Sequence, residues 1–409
     1  MQTTSNQQLI KVEEGSIVSP LGFSATGLHT KVKRKRNDLG LIYCDVPAEA
    51  AAVYTLNQII AAPLTVTKES IGYEGKLQAV VINSGNANAC TGKQGFLDAM
   101  AMRDAVANIF SINNHYVAVA STGVIGEKMP MEKIIPGIDN LDPQKTIQGA
   151  ENFNEAILTT DTCSKTTCYE TVIDGVKITM GGSAKGSGMI APNMATMLGF
   201  ITTDANIPHV HLQAALKEVT NKTFNRITVD GDTSTNDMVI VMASGLANNS
   251  SLTPEHPEWD KFLHILNQVC QDLAIMIARD GEGATKLIEV NVVGALNDDE
   301  AGKIAKTVVG SDLVKTMIYG ADPNWGRLMM AVGRSGMTIN PLTIDIKIGP
   351  HQLLMNSEPV NYEEAVLSNY LTHSEVDIHI NLNIGTGIGK AWGCDLTYDY
   401  VRINASYRT

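Results

Sequence analysis

Short β-branched runs bounded by glycine alternate with amphipathic segments along this 409-residue chain, and no Pro/Ser-rich linker, low-complexity tract or short repeat interrupts them. That alternation most narrows the outcome, because a strand or helix with one apolar face must bury it against another layer. It predicts an α/β fold of layered sheets with flanking helices, any division within it being compact against compact. Strands are expected at Leu77 to Ile82, His115 to Ala120, Val176 to Met180, Leu198 to Thr202, Met238 to Met242 and Leu287 to Val293. A strictly alternating run, Val376 to Ile384, reads as a half-buried strand. Helical spacing predicts helices over Phe96 to Phe110, from Trp259 to Arg279, and after Pro208, with Leu212, Leu216, Val219 and Phe224 on one face.

Charge narrows the partners. A formal net charge of -12 offers no basic face for nucleic acid. The one basic run, Lys31-Val32-Lys33-Arg34-Lys35-Arg36, reads as a solvated strand or turn face. No apolar run approaches the ~20 residues of a membrane span, and the N-terminus lacks the pattern of a secretory leader, so a cytoplasmic protein is expected. The six cysteines are scattered and read as buried or inert thiols.

Several chemistries fail on spacing. In GGSAKGSG, residues 181–188, a phosphate loop needs lysine directly after the second glycine of its motif, but Ser187 follows Gly186 and Lys185 comes two residues too early. Gly385-Thr386-Gly387-Ile388-Gly389 falls one residue short of the dinucleotide fingerprint, with Lys390 in the required place. His209 and His211 have no accompanying HExxH, so no metal is expected. No serine sits in G-x-S-x-G. What remains is a set of polar, glycine-bounded patches where predicted elements end: residues 83–89, 121–126, 159–162, 230–237, 279–286, 320–327 and 404–409. Singly, each has a turn-chemistry reading. Together they are too many for that.

The stretch KGSGMIAPNMATMLGFITTD, residues 185–204, leads through glycines and Ala195 to Thr196 at the head of a strand. This can be a plain loop-to-strand junction. It can also be a site of chain breakage between Ala195 and Thr196, which would give the threonine hydroxyl a base of its own in the freed α-amine, with an ordinary pKa of roughly 7.7 to 8.0.

Taken in order, NSGNANACTG (83–92), STGVIG (121–126), KGSGMIAPNMATMLG (185–199), DGDTSTND (230–237), ARDGEGATK (278–286), ADPNWGR (321–327) and the segment from Trp392 to Thr409 resemble the ornithine acetyltransferase, or glutamate N-acetyltransferase, family of arginine biosynthesis. The resemblance covers nearly the whole chain and begins at about Gly15. It implies self-cleavage between Ala195 and Thr196 into an α chain, 1–195, and a β chain, 196–409, associated as a heterotetramer of two of each. It implies two halves of related topology, in a fold shared with self-cleaving aminopeptidases. The implied reaction moves acetyl from N-acetylornithine to Thr196 and on to glutamate. No cofactor is implied, though acetyl-CoA is a possible co-substrate. Thr122 and Gly123 match the oxyanion-hole position, Lys185 a mate for the substrate α-carboxylate, and Glu282 a holder of the ornithine ammonium. Thr159, Asn404 and Thr409 match the remaining substrate contacts. As Thr409 ends the sequence, the C-terminus would have to reach the site. The rival readings are a self-processing aminopeptidase or amidohydrolase, a noncatalytic amino-acid-binding protein, and a nucleotide site at the glycine-rich loop.

Overall fold

The segment Met238–Ala243, reading MVIVMA, has no polar residue and is buried throughout. Such a strand can only lie inside a sheet covered on both faces. In the computed structural model, which describes residues 9–191 and 197–406, Val239, Val241 and Ala243 enter one core while Met238, Ile240 and Met242 enter another. The strand belongs to a nine-stranded mixed sheet. Its order is Ile10–Lys11, Lys165–Ile173, Val176–Lys185, Leu198–Thr203, Met238–Ala243, Leu39–Tyr54, Lys76–Asn86 and Val117–Val124, with Phe23–Leu28 also pairing to Leu39–Tyr54.

The helices Trp259–Arg279 and His209–Lys222 cover one face of this sheet, and Ile147–Ile157 packs on the other. The first carries Phe262, Ile265, Leu266, Val269, Leu273 and Ile277 on its buried stripe, with Asp260 in its first turn and Arg279 in its last complementing the helix dipole. Each such side chain contributes about 1.5–3 kcal/mol of burial. Thr146 caps Ile147–Ile157 by accepting from Gly149 N at 3.0 Å.

A second, seven-stranded sheet runs Glu358–Pro359, His351–Met355, Asp345–Ile348, Glu375–Asn381, Leu287–Ala295, Gly387–Cys394 and Ile227–Thr228. Its strand Glu375–Asn381 turns Val376, Ile378 and Ile380 inward and leaves Glu375, Asp377 and His379 exposed, so one face is covered and the other open. The helix Asp298–Val309, capped by Asn297, lies on the covered face.

The first sheet is continuous across the glycine-rich stretch. Leu198–Thr203 pairs antiparallel with Val176–Lys185 and parallel with Met238–Ala243, which in turn pairs with Leu39–Tyr54. Segments from before residue 195 and after residue 196 therefore share the first sheet, while the second sheet is drawn from residues after 196.

The expected elements are present, with shifted ends. The strand expected from His115 begins at Val117, because the Asn113 side chain accepts from His115 N and winds 114–116 into a 3-10 turn. The alternating run stops at Asn381 rather than Ile384, and Asn383 takes a left-handed conformation, φ 55°. Phe224 starts its own short turn beyond the helix after Pro208. Cys44, Cys168, Cys270 and Cys394 are buried as expected, but Cys90 and Cys163 are exposed, each in a loop beside a polar turn. No helix among the described residues is long and apolar enough to cross a membrane.

Candidate active site

Sheet register gathers several polar turns at one edge. Lys185, last in its strand, stands opposite Leu198, first in the next, and Leu198 stands beside Met238. Met238 N donates to Met197 O at 2.9 Å, so the segment leaving the glycine-rich stretch is tied to the start of the central strand. Thr122 and Gly123 lie near the end of Val117–Val124. A cleft at this edge is lined by Thr122, Gly123, Thr159, Lys185, Glu282 and Asn404, and Met197 lies in its wall. These six residues were expected at one site from the resemblance. Ala195, Thr196 and Thr409 lie outside the described residues.

Beneath the cleft, Lys165 has no exposed side-chain surface and reaches Asp161 Oδ1 at 2.7 Å and Asp280 Oδ2 at 2.6 Å. The two carboxylates extend the network to the backbone. Asp161 accepts from Gly186 N at 2.6 Å and Thr159 N at 3.0 Å, and Asp280 from Thr162 N at 3.1 Å and the Thr162 hydroxyl. The Ser187 hydroxyl donates to Asp280 O at 2.6 Å, and Glu282 N to Ser187 O at 2.9 Å. One buried ion triad therefore fixes the three turns that carry Thr159, Lys185 and Glu282.

Burial alone would raise the Asp161 pKa, but the Lys185 and Lys165 charges and the hydrogen bonds hold it well below the usual carboxylate range. Burial would lower that of Lys165, and the Asp161 and Asp280 charges instead hold it above its ordinary value. Lys185 Nζ stands 3.8 Å from Asp161 Oδ2, beyond a hydrogen bond, and its side chain lines the cleft. Its charge is thus held in place with donors available for an anionic group.

On the opposite wall, Asn404 Nδ2 donates to Glu282 Oε2 at 2.8 Å. The approach of the helix Tyr398–Ser406 depends on Gly283, at φ 69°, where a Cβ would stand 2.6 Å from Tyr400 N. The Glu282 carboxylate so presented can hold an ammonium. Asp230 clamps the far end of the glycine-rich loop, accepting from Met189 N at 2.6 Å and Ile190 N at 2.8 Å. Asn236 donates to Ala87 O at 2.5 Å and Ser121 O at 2.9 Å, joining two more turns. Asp237 is buried in the wall, and desolvation lifts its pKa well above the ordinary value against the opposing pull of Ser234 and Lys185. Asp161, Asp230, Asn236, Asp237 and Asp280 were visible in the sequence only as members of polar patches, since nothing in spacing separates a buried carboxylate from a turn residue.

A continuous mixed sheet with a polar cleft at one edge, offering a fixed cation, a fixed carboxylate and a glycine turn, defines an α/β enzyme for small zwitterionic substrates. The ArgJ family model matches residues 24–409, and the chain belongs to that family. A relative from Halalkalibacterium halodurans, named arginine biosynthesis bifunctional protein ArgJ, is 65% identical over 402 residues, covering 98% of this chain and 98% of its own. The protein of the same name from Geobacillus kaustophilus is 58% identical over 407 residues, covering 100% and 99%. Among solved structures, the argJ protein of Bacillus halodurans is 63% identical with a TM-score of 0.46, covering 46% of this chain and 98% of that one. An ornithine acetyltransferase from Mycobacterium tuberculosis, complexed with ornithine, is 36% identical with a TM-score of 0.43, covering 46% and 100%.

Proposed function

We infer that the protein transfers the acetyl group of N2-acetylornithine to glutamate, giving ornithine and N-acetylglutamate in arginine biosynthesis. Family membership supports acetyl transfer in that pathway. The observation that carries the residue assignment is the convergence of Thr122, Gly123, Thr159, Lys185, Glu282 and Asn404, far apart in sequence, on one cleft whose wall includes Met197, the neighbour of Thr196.

In this mechanism the Thr196 hydroxyl attacks the Ala195–Thr196 peptide, water hydrolyses the resulting ester to leave a carboxylate on Ala195, and the freed amine then takes the proton of the Thr196 hydroxyl as Oγ attacks the acetyl carbonyl. The tetrahedral oxyanion is stabilised at Thr122 and Gly123. Collapse breaks the C–N bond, and the protonated amine of Thr196 returns its proton to the leaving amino group of ornithine. Glutamate's amine then attacks the acetyl ester and N-acetylglutamate leaves, regenerating the threonine. Lys185 pairs with the substrate α-carboxylate and Glu282 with the side-chain ammonium of ornithine, while Thr159, Asn404 and Thr409 complete the contacts. Acetyl-CoA serves as a second donor to the same threonine, its thiol leaving in place of the amine. The α chain, 1–195, and β chain, 196–409, remain together as a cytoplasmic heterotetramer of two of each.

The test is to supply N2-acetylornithine labelled with 13C in the acetyl group, together with glutamate. Label appearing in N-acetylglutamate with ping-pong kinetics is the expected result. Label released only as acetate would instead mark a hydrolase, and binding without turnover a noncatalytic protein.

Gly123→Ala probes the oxyanion turn. Gly123 has φ 132°, and a Cβ there would stand 2.3 Å from Gly85 C and 2.5 Å from Asn86 N, backbone atoms that cannot swing aside. The turn must shift, and kcat is expected to fall about a hundredfold, as when an oxyanion donor is lost. Unchanged kcat in a folded variant would remove this turn from the chemistry.

A further inference from the structure

The basic run Lys31 to Arg36 puts five cations into six residues of a chain with net charge -12. It is not a loose solvated turn. The carboxylate of Asp38, fully buried, shapes the loop from inside by accepting from Thr30 N at 2.6 Å, Thr30 Oγ1 at 2.7 Å and Lys33 N at 2.9 Å. His29 Nε2 meets Lys33 O at 2.8 Å.

The loop is also fastened to the rim of the active-site cleft. Lys33 Nζ donates to Leu158 O at 2.8 Å and an Arg36 guanidinium nitrogen to Asp161 O at 3.1 Å, on either side of the cleft-lining Thr159 and Thr160. The Lys33 side chain lies against Gly85, where a Cβ would stand 3.1 Å from Lys33 Cγ, and Gly85 in turn backs onto Gly123. Lys31, Arg34, Lys35 and Arg36 remain exposed beside this rim, and Lys133 reaches over to donate to Lys31 O at 3.0 Å. Neither N2-acetylornithine nor glutamate, bound as proposed at Lys185 and Glu282 inside the cleft, has a use for so many cations outside it.

We propose that this loop is the docking site for the phosphate groups of an acetyl-CoA donor, whose thioester end enters the cleft past Thr159 and Thr160 towards Gly123. The proposal builds on the reading that acetyl-CoA is a second donor to Thr196. The preshaped loop presents guanidinium and ammonium donors to phosphate oxygens without having to fold around them, and it concentrates a polyanion at the mouth of an otherwise acidic protein. It assigns separate anchors to the two donors: the cleft alone for N2-acetylornithine, and the cleft together with the loop for acetyl-CoA.

The test compares wild type with the double variant Arg34→Gln, Lys35→Gln, two exposed positions outside the catalytic cleft. At low ionic strength the KM for acetyl-CoA is expected to rise about tenfold while kcat and KM for N2-acetylornithine and KM for glutamate stay unchanged. In wild type, acetyl-pantetheine, which lacks the phosphates, is expected to show the same raised KM and to be indifferent to the substitutions. An unchanged KM for acetyl-CoA overturns the proposal, as does an equal rise for glutamate, which would mark general steering of anions. If wild type turns over N2-acetylornithine but not acetyl-CoA, the second-donor reading fails by itself. Calorimetry with 3′-phosphoadenosine 5′-diphosphate then decides the loop: binding by wild type that is lost in the variant sustains a phosphate site, and no binding by wild type removes it.

Discussion

Thr196→Ala is expected to purify as a single uncut chain, where the wild type separates under denaturing conditions into residues 1–195 and 196–409, and to lose acetyl transfer by at least ~10⁴-fold. Two functions fail together in that variant. On the proposed mechanism the hydroxyl that attacks the Ala195–Thr196 peptide would be the hydroxyl that later carries acetyl, and without the first event there would be no free amine to act as base. Thr196→Ser keeps a hydroxyl and should still cut itself, while Thr196→Ala should keep a folded cleft that binds ornithine. Intact-mass measurement on denatured protein reads the cleavage, and the 13C transfer assay reads the chemistry. A wild-type chain that stays whole while it transfers acetyl would remove the amine from the mechanism and require a different base, for which the cleft offers no histidine among its described lining residues.

Lys165→Met is expected to destabilise the fold by about 3–5 kcal/mol, the usual cost of leaving buried charges without their partner. Asp161 and Asp280 both face Lys165 Nζ within 2.7 Å, so the variant leaves two carboxylates to repel each other in a site without solvent. The pH dependence gives the signature. In wild type the folded-state pKa of Asp161 lies below its ordinary 3.8, so its contribution is complete above that value and is lost as pH falls through the lower folded one. Lys165 lies above its ordinary 10.5, and its contribution is lost only as pH rises through the still higher folded value. The triad's contribution is therefore flat across neutral pH. In Lys165→Met the repulsion should be relieved when one carboxyl takes a proton, so stability relative to wild type should recover on mild acidification. Urea midpoints at pH 5 and pH 8 check this, and equal midpoints for the two proteins at pH 8 would contradict it.

How legible the fold was depended on what each strand buries. Met238–Ala243 and Leu198–Thr203 announce themselves through β-branched and large apolar residues. The longest strand, Leu39–Tyr54, does not, because its second half reads PAEAAAVY. Alanine has little strand preference and proline interrupts a ladder. Those alanines are required by close packing under Ile147–Ile157 on one face and His209–Lys222 on the other, a tertiary demand that no local pattern records. The register shift between Tyr43 and Ala48 absorbs Pro47.

The site divided in a similar way. Thr122, Gly123, Lys185 and Glu282 stand in ordered motifs and could be named from them. The groups that hold them could not: Asp161 and Asp280, 119 positions apart by their numbers, meet only because Lys165 lies between them in the folded chain. The basic run shows the reverse case. Its composition is that of an ordinary solvated turn, and only the contacts of Lys33 and Arg36 with residues 158 and 161 place it at the rim of the cleft.

The continuity of the first sheet across the glycine-rich stretch bears on when maturation can happen. Leu198–Thr203 and Met238–Ala243 take their places only once Val176–Lys185 and Leu39–Tyr54 are present to pair with them. The polar turns that line the cleft stand at the edge of that same sheet. A cut at 195/196 would then serve as a timestamp on each molecule, made only after its sheet has closed, and the fraction of cut chains in a cell would measure how much of the newly synthesised protein had finished folding.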